Sequence, residues 1–288
     1  MKKIFLSFAS SNLRRSIDRI RQEAHGLNFY DSVVVLDENS LEPNFREKFK
    51  DYLKIGTRGY GYWSWKPQII MQALNEASNG DVIQYTDSGC RLNKKGITRL
   101  AEYFEIAATA KNGILGFSAK PPANNLIIDN REFPLLLDSA WIKGDLLDYF
   151  DVRSNADVIC SPTIGAGIIF VRKCPESITI IKRWLSVIEA GFNFIDDTQS
   201  VSDNLPTFIE HRHDQAIFSL IAKLEGVTLL SAYEYWYPSR DGLAADWDVL
   251  KDYPIHAVRD KDYGPLTNTY LRIRNKFGKL LKQVFNGS

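Results

Sequence analysis

The sequence predicts an α/β fold in which a mostly parallel sheet carries helices on both faces. Three observations predict it. Short apolar runs at residues 3–8, 32–36, 81–85, 113–117 and 168–172 alternate with longer stretches of helical period. Several of the runs are continuously apolar, as strands covered on both faces are. The alternation holds through residue 230, which suits one sheet sandwiched between helices. A chain of 288 residues with 44% hydrophobic content can bury such a core as one large domain, or as one domain with an appendage.

Taken in order, residues 3–8 read as the first strand. Residues 10–24 read as a helix capped by Ser10 or Ser11, with Leu13, Ile17 and Ile20 on one face. Ser32-Val33-Val34-Val35-Leu36 reads as a buried parallel strand, and residues 42–54 as a charged helix carrying Phe45, Phe49 and Leu53. Next comes a Gly-rich aromatic stretch, Gly59-Tyr60-Gly61-Tyr62-Trp63-Ser64-Trp65-Lys66-Pro67, which opens an apolar helix stopped by Asn79-Gly80. Residues 81–85 form a strand, and Thr86-Asp87-Ser88-Gly89 the turn leaving it. Residues 97–110 read as a helix, 113–117 as a strand, 120–131 as a polar loop or lid, and 135–150 as a helix. Residues 161–167 read as a turn leading into a strand at 168–172. A helix follows at 175–190, a polar loop at 196–206, a helix at 216–224 and a short strand at 227–230. Residues 255–259 form a last extended piece. Residues 268–285 form a basic amphipathic helix with Arg272, Arg274, Lys276, Lys279 and Lys282 and no acid. That pattern fits a helix lying on an anionic membrane, and equally a tail helix packed on its own domain.

Charge is balanced, 36 basic against 35 acidic residues, so nothing global points to nucleic acid. Aromatics make up 12%, many beside Gly, Pro or charge, which leans towards surfaces that stack on rings. The three cysteines, Cys90, Cys160 and Cys174, are odd in number and not spaced for zinc, so a reduced, cytoplasmic setting is expected. No stretch reaches the ~20 apolar residues of a membrane span.

Four constellations carry chemistry. Asp87 follows a predicted strand at its carboxyl end, where open α/β sheets place ligands. It suits a ribose hydroxyl or a divalent cation on a diphosphate, or else makes an ordinary Asp-Ser-Gly turn. Trp65 and Lys66 upstream suit a ring and a phosphate. Gly165-Ala166-Gly167 lets a backbone approach a ligand, or simply packs tightly. His211-Arg212-His213-Asp214-Gln215 puts a carboxylate and an amide at a helix start, with more polar groups than a cap needs. His256 and Arg259 lie in the last extended piece, as candidates for a metal ligand and a diphosphate contact.

These residues, in this order, resemble GT-A glycosyltransferases of bacterial surface polysaccharide clusters (O-antigen and capsule), and distantly the glycogenin and lipooligosaccharide galactosyltransferase group. The resemblance implies a GT-A, Rossmann-like domain over residues 1–265, with residues 266–288 as the basic C-terminal helix. It implies a hexosyltransferase with a nucleotide-sugar donor, a UDP-sugar first. The acceptor would be a saccharide, possibly lipid-linked, at the inner face of the cytoplasmic membrane. Tyr85-Thr86-Asp87-Ser88-Gly89 falls where the group has a strand and Asp-x-Asp, with Gly89 in place of the second acid. His256 is similar to the late histidine of its metal site, so a divalent metal (Mn²⁺ or Mg²⁺) on Asp87 and His256 is expected, thinner than usual or absent. Gly165 and Ala166 would border the donor sugar. Asp214 and Gln215 would be the catalytic pair, by likeness to an Asp-Gln start that goes with retention of configuration. Ser7, Arg58, Trp65, Lys66, Tyr85, Asp87, His213 and Arg259 would bind the donor. A scaffold that binds sugar nucleotides without turnover, or less favourably a sugar-nucleotide pyrophosphorylase, are the alternatives.

Overall fold

A computed structural model describes residues 1–122, 133–240 and 244–259. The basic helix expected over residues 268–285, and residues 123–131 of the expected lid, lie outside the described residues.

The chain builds a six-stranded sheet in the order β2-β1-β3-β6-β5-β7. Strand β1 (Lys3–Phe8) leads through α1 (Arg14–Gly26) to β2 (Ser32–Leu36), and the two strands pair in parallel from Ile4↔Ser32. Then come α2 (Pro43–Lys48), a helical turn α3 (Gly59–Tyr62) and α4 (Trp65–Glu76). Strand β3 (Val82–Thr86) returns beside β1, also parallel. After the two-residue β4 (Arg91–Leu92), α5 (Ile97–Thr109) leads to β5 (Ile114–Ser118). Three short helices follow, α6 (Asp138–Trp141), α7 (Gly144–Tyr149) and α8 (Ala156–Ile159). Strand β6 (Ile164–Arg172) then runs antiparallel between β3 and β5. Helices α9 (Pro175–Ala190) and α10 (His213–Leu224) precede β7 (Thr228–Ser231), which is parallel to β5. Strand β8 (Ile255–His256) pairs with β4 in a separate ribbon.

Alternation along the strands divides the core. On β1, Phe5 points to Ile20 and Ala24 of α1. Leu6 and Phe8 point to the opposite face, where α4, α9 and α10 pack. Phe104 of α5 and Phe170 of β6 share the first side with α1. Burying one large apolar side chain contributes about 1.5–3 kcal/mol, so these two layers set the stacking. The expected sheet with helices on both faces is what forms.

Local departures have local causes. Strand β2 is an edge strand and only half buried, because among the described residues nothing pairs with its outer side. Residues 135–150 split into two helices at Lys143-Gly144. A Cβ on Gly144 would meet the Asp203 carbonyl at 2.5 Å, so the 202–204 loop presses into the break. The expected turn at 161–167 becomes, from Ile164 onward, the first half of β6. The helix expected over 42–54 stops at Lys48 and gives way to turns. Among the described residues no helix is long and apolar enough to cross a membrane.

Candidate active site

The carboxyl end of β3 meets the middle of β6. On the β3 side, β6 stays in register up to Thr86↔Ile168; on the β5 side it pairs again only at Phe117↔Gly165. The slack between these points is a bulge holding Ala166 and Gly167, and a bulge re-aims backbone groups. The Gly167 carbonyl accepts from the Asp87 N–H at 2.8 Å. The Ala166 carbonyl accepts from Lys66 Nζ at 3.0 Å. A Cβ on Gly167 would stand 3.0 Å from Asp87 Oδ2, so only glycine admits the carboxylate this closely. Arg19 of α1 fixes the turn after Asp87 from behind, donating to the Ser88 and Cys90 carbonyls at 2.6 and 2.8 Å.

Lys66 is the hub. It lies in the first turn of α4 and is 2% exposed. Its ammonium donates to Asp214 Oδ2 at 2.5 Å and pairs with Asp87 Oδ1 at 3.3 Å. Asp87 Oδ1 also accepts from the Tyr85 hydroxyl at 2.5 Å. One cation thus serves two carboxylates. Burial opposes the Lys66 charge, but Asp214 and Asp87 outweigh it and hold the ammonium above its ordinary pKa. Burial drives Asp214 the other way; Lys66 counteracts, the Asp87 charge adds, and the result is about 6. A buried carboxyl poised this close to neutrality is a mark of functional sites.

The approach to Lys66 is unusual. Gly59, Tyr60, Gly61, Tyr62 and Trp63 all have φ between 54° and 86°, a left-handed turn. That handedness costs roughly 1–2 kcal/mol for each of the three aromatic residues. Buried contacts hold it: the Trp65 indole donates to the Gly59 carbonyl at 2.9 Å and stacks on Phe8 at 4.0 Å. Trp65, expected to touch a donor, is therefore part of the core that shapes the turn. Ser7 is corrected likewise. It is fully buried, and its hydroxyl donates to the Thr86 carbonyl at 2.7 Å, tying β1 to β3.

The remaining predicted residues flank the hub. Gln215 Nε2 donates to Thr163 Oγ1 at 3.2 Å. A Cβ on Gly165 would meet the Tyr235 hydroxyl at 2.6 Å, so Tyr235 closes over the bulge. His213, itself at φ 52°, has Nδ1 2.8 Å from the Ile195 carbonyl, with the Tyr62 and Trp63 rings 5.1 and 5.8 Å from its own. Arg58 stands 3.6 Å from Asp197. Arg212 lies over the Trp141 ring at 4.3 Å and pairs with Glu210 at 3.0 Å. Burial, and then Arg259 and Arg58, push the Arg212 pKa down against Glu210. Arg259 also acts on Cys90 and Tyr235, beside Asp87. The structure thus adds Arg212, Tyr235, Tyr62, Trp63 and Asp197 to the residues expected from sequence. Arg212 had a signal in its place in the His-Arg-His-Asp-Gln run, and Tyr62 and Trp63 had one in the Gly-rich aromatic stretch.

The metal expectation on Asp87 and His256 is left with few protein donors; the His256 ring donates from Nε2, which leaves the lone pair on Nδ1. His256 Nε2 lies 2.8 Å from the Leu250 carbonyl, and its ring stacks on Trp247. One Asp87 oxygen is already shared by Tyr85 and Lys66. Among the described residues no three His, Cys, Asp or Glu side chains gather into a cation site of protein ligands alone; a cation held on a diphosphate needs only one or two carboxylates. With Gly89 in place of a second acid, Lys66 supplies the positive charge at Asp87.

No family model and no curated protein matches the sequence. Among solved structures, the chain is similar to a glycosyltransferase involved in glycosylation of the major capsid of PBCV-1, at 13% identity and TM-score 0.44, covering 89% of this chain and 92% of that one. It is also similar to mouse xyloside xylosyltransferase 1, at 13% and 0.42, covering 92% and 98%. A third is the galactosyltransferase LgtC in complex with donor and acceptor sugar analogues, at 12% and 0.38, covering 81% and 74%. At these identities and superpositions, function has to be read from the residues.

Proposed function

We propose that the protein is a glycosyltransferase that moves a hexose from a nucleotide-sugar donor, a UDP-sugar first, to a saccharide hydroxyl. One observation carries the reading. A buried lysine, two carboxylates and two strand carbonyls converge at the carboxyl end of β3. Breaking a sugar–phosphate bond develops positive charge at the anomeric carbon and negative charge on the leaving diphosphate. Asp214 and the Ala166 carbonyl answer the first charge; Arg58, Arg212 and Arg259 answer the second. Asp87 is left to the ribose hydroxyls, and Gly165 lets a sugar lie against the bulge. Gln215, held by Thr163, offers an amide oxygen at the same helix start as Asp214. The arrangement shields a cationic centre without a strong base, which agrees with retention of configuration. The role in bacterial surface polysaccharide synthesis, and a lipid-linked acceptor reached through the basic tail, follow from the sequence resemblance.

Calorimetric titration with UDP, with and without Mn²⁺, tests the reading, and Asp87→Ala sharpens it. Binding that persists without Mn²⁺ and weakens at least tenfold in the variant is expected. If UDP and the other nucleoside diphosphates all fail to bind, the donor site is lost and a saccharide-binding scaffold becomes the better account.

A further inference from the structure

A second pair of polar groups, beside the lysine hub, has no use in the reading above. His213 is 2% exposed, and its Nδ1 faces the Ile195 carbonyl. A carbonyl only accepts, so Nδ1 carries the proton, and Nε2 of the neutral ring presents a lone pair. Burial holds His213 below its ordinary pKa, which keeps the ring neutral. Nε2 is buried and has no hydrogen-bond partner among the described residues. Asp197 Oδ1 stands 3.6 Å away, beyond hydrogen-bond reach, and is itself an acceptor. Two acceptors side by side with no hydrogen between them call for a ligand that brings two donors.

Nε2 has no open surface of its own, so a ligand reaches it by moving the exposed Asp197 side chain aside. Buried Lys143 fixes the loop by donating to the Asp196 and Thr198 carbonyls, both at 3.0 Å. Asp197, between them, is half exposed, with Arg58 3.6 Å from the same oxygen. The left-handed turn brings Tyr62 and Trp63, both half buried, against His213. Aromatic faces cover the C–H side of a sugar ring while carboxylate and imidazole take its hydroxyls.

We propose that His213 Nε2 and Asp197, flanked by Tyr62 and Trp63, bind a vicinal diol of the saccharide acceptor. This assignment rests on the glycosyl-transfer reading, and it moves His213 from the donor side to the acceptor side. The ribose of the nucleotide carries the same diol, so the test must separate the two sources.

The experiment follows UDP release from a UDP-hexose panel with methyl α-glucoside, methyl β-galactoside and methyl α-mannoside as acceptors, alongside calorimetry with UDP. The variants are Asp197→Asn, at an exposed position, and His213→Asn, which suits the left-handed backbone there. The expected result is at least a tenfold loss of glycoside-dependent turnover in both variants, with UDP affinity within twofold of wild type in His213→Asn and undiminished in Asp197→Asn, which only frees Arg58 from its carboxylate. Unchanged turnover overturns the assignment. A loss of UDP affinity in step with turnover overturns it in favour of ribose. Wild-type protein that binds UDP but serves none of the three glycosides also overturns it. Failure of wild-type protein to bind UDP removes the donor reading itself, and this inference with it.

Discussion

Two buried lysine–aspartate pairs flank helix α10, and they differ in one respect. Near its C-terminal end, Lys223 donates to Asp138 at 2.6 Å and to the carbonyls of Val158 and Ser161. Asp138 also accepts from Ser219, whose hydroxyl in turn receives the Ile164 N–H. One cation meets one anion, and burial holds Lys223 below its ordinary pKa. At the N-terminal end, Lys66 meets both Asp214 and Asp87, and its pKa is raised. The first pair is neutral and closed, and it joins α6, α10 and the start of β6. The second carries an uncompensated negative charge next to an opening, since Asp87 is 36% exposed. Burial alone therefore does not mark the functional pair; the excess carboxylate does.

The comparison breaks most severely at the closed pair. Lys223→Met leaves Asp138 buried without its cation, and a loss of about 3–5 kcal/mol is expected in urea unfolding. UDP affinity should stay within threefold in calorimetry, because that pair only supports the fold. Asp214→Asn should show the reverse. A turnover loss of about 10²–10³-fold follows from removing a preorganised charge. Stability at pH 7 should hold within about 1 kcal/mol, as for substitutions that leave no unpaired group.

The pH profile gives the sign. Wild-type turnover should fall as pH drops through about 6, where Asp214 takes up a proton, and Asp214→Asn should lack that step. The folded value lies above the unfolded value of about 3.9. The Asp214 contribution to stability therefore grows as pH falls from 7 towards 4, opposite to the usual carboxylate. Thermal unfolding of both proteins across that range measures the difference.

Smaller effects separate the turn from the strand end. Gly59→Ala would put a Cβ 2.4 Å from the Trp63 ring at φ 59°, so about 1–2 kcal/mol of destabilisation is expected, with a larger proportional loss of turnover. Ser7→Ala removes one buried hydrogen bond to Thr86, worth about 1 kcal/mol, and should leave UDP affinity alone. A weakened UDP affinity there would restore Ser7 to the donor site.

Much of this was legible in the chain. Continuous apolar runs located five of the six sheet strands to within a residue, because a strand covered on both faces needs them; the Gly-rich first half of β6 escaped that pattern. Asp87 at a strand end, Lys66 at a helix start and Asp214 in the His-Arg-His-Asp-Gln run were each visible as polar residues placed against an apolar pattern. Ser7 and Trp65 were misread because a serine or tryptophan beside a strand end looks the same whether it faces a ligand or a carbonyl. Asp197 was invisible, one acid in a polar loop, until Lys143 and His213 were seen around it.

Local sequence by itself determined the strands, most of the helices and the chemical types available at the sheet's carboxyl end, because hydrophobic period and polar punctuation act over a few residues. Tertiary structure alone decided the direction of β6, the bulge that turns the Ala166 and Gly167 carbonyls towards Lys66 and Asp87, and the meeting of residues 66, 87 and 214. Those depend on strand pairing and charge desolvation between segments up to 148 positions apart, which no local pattern encodes.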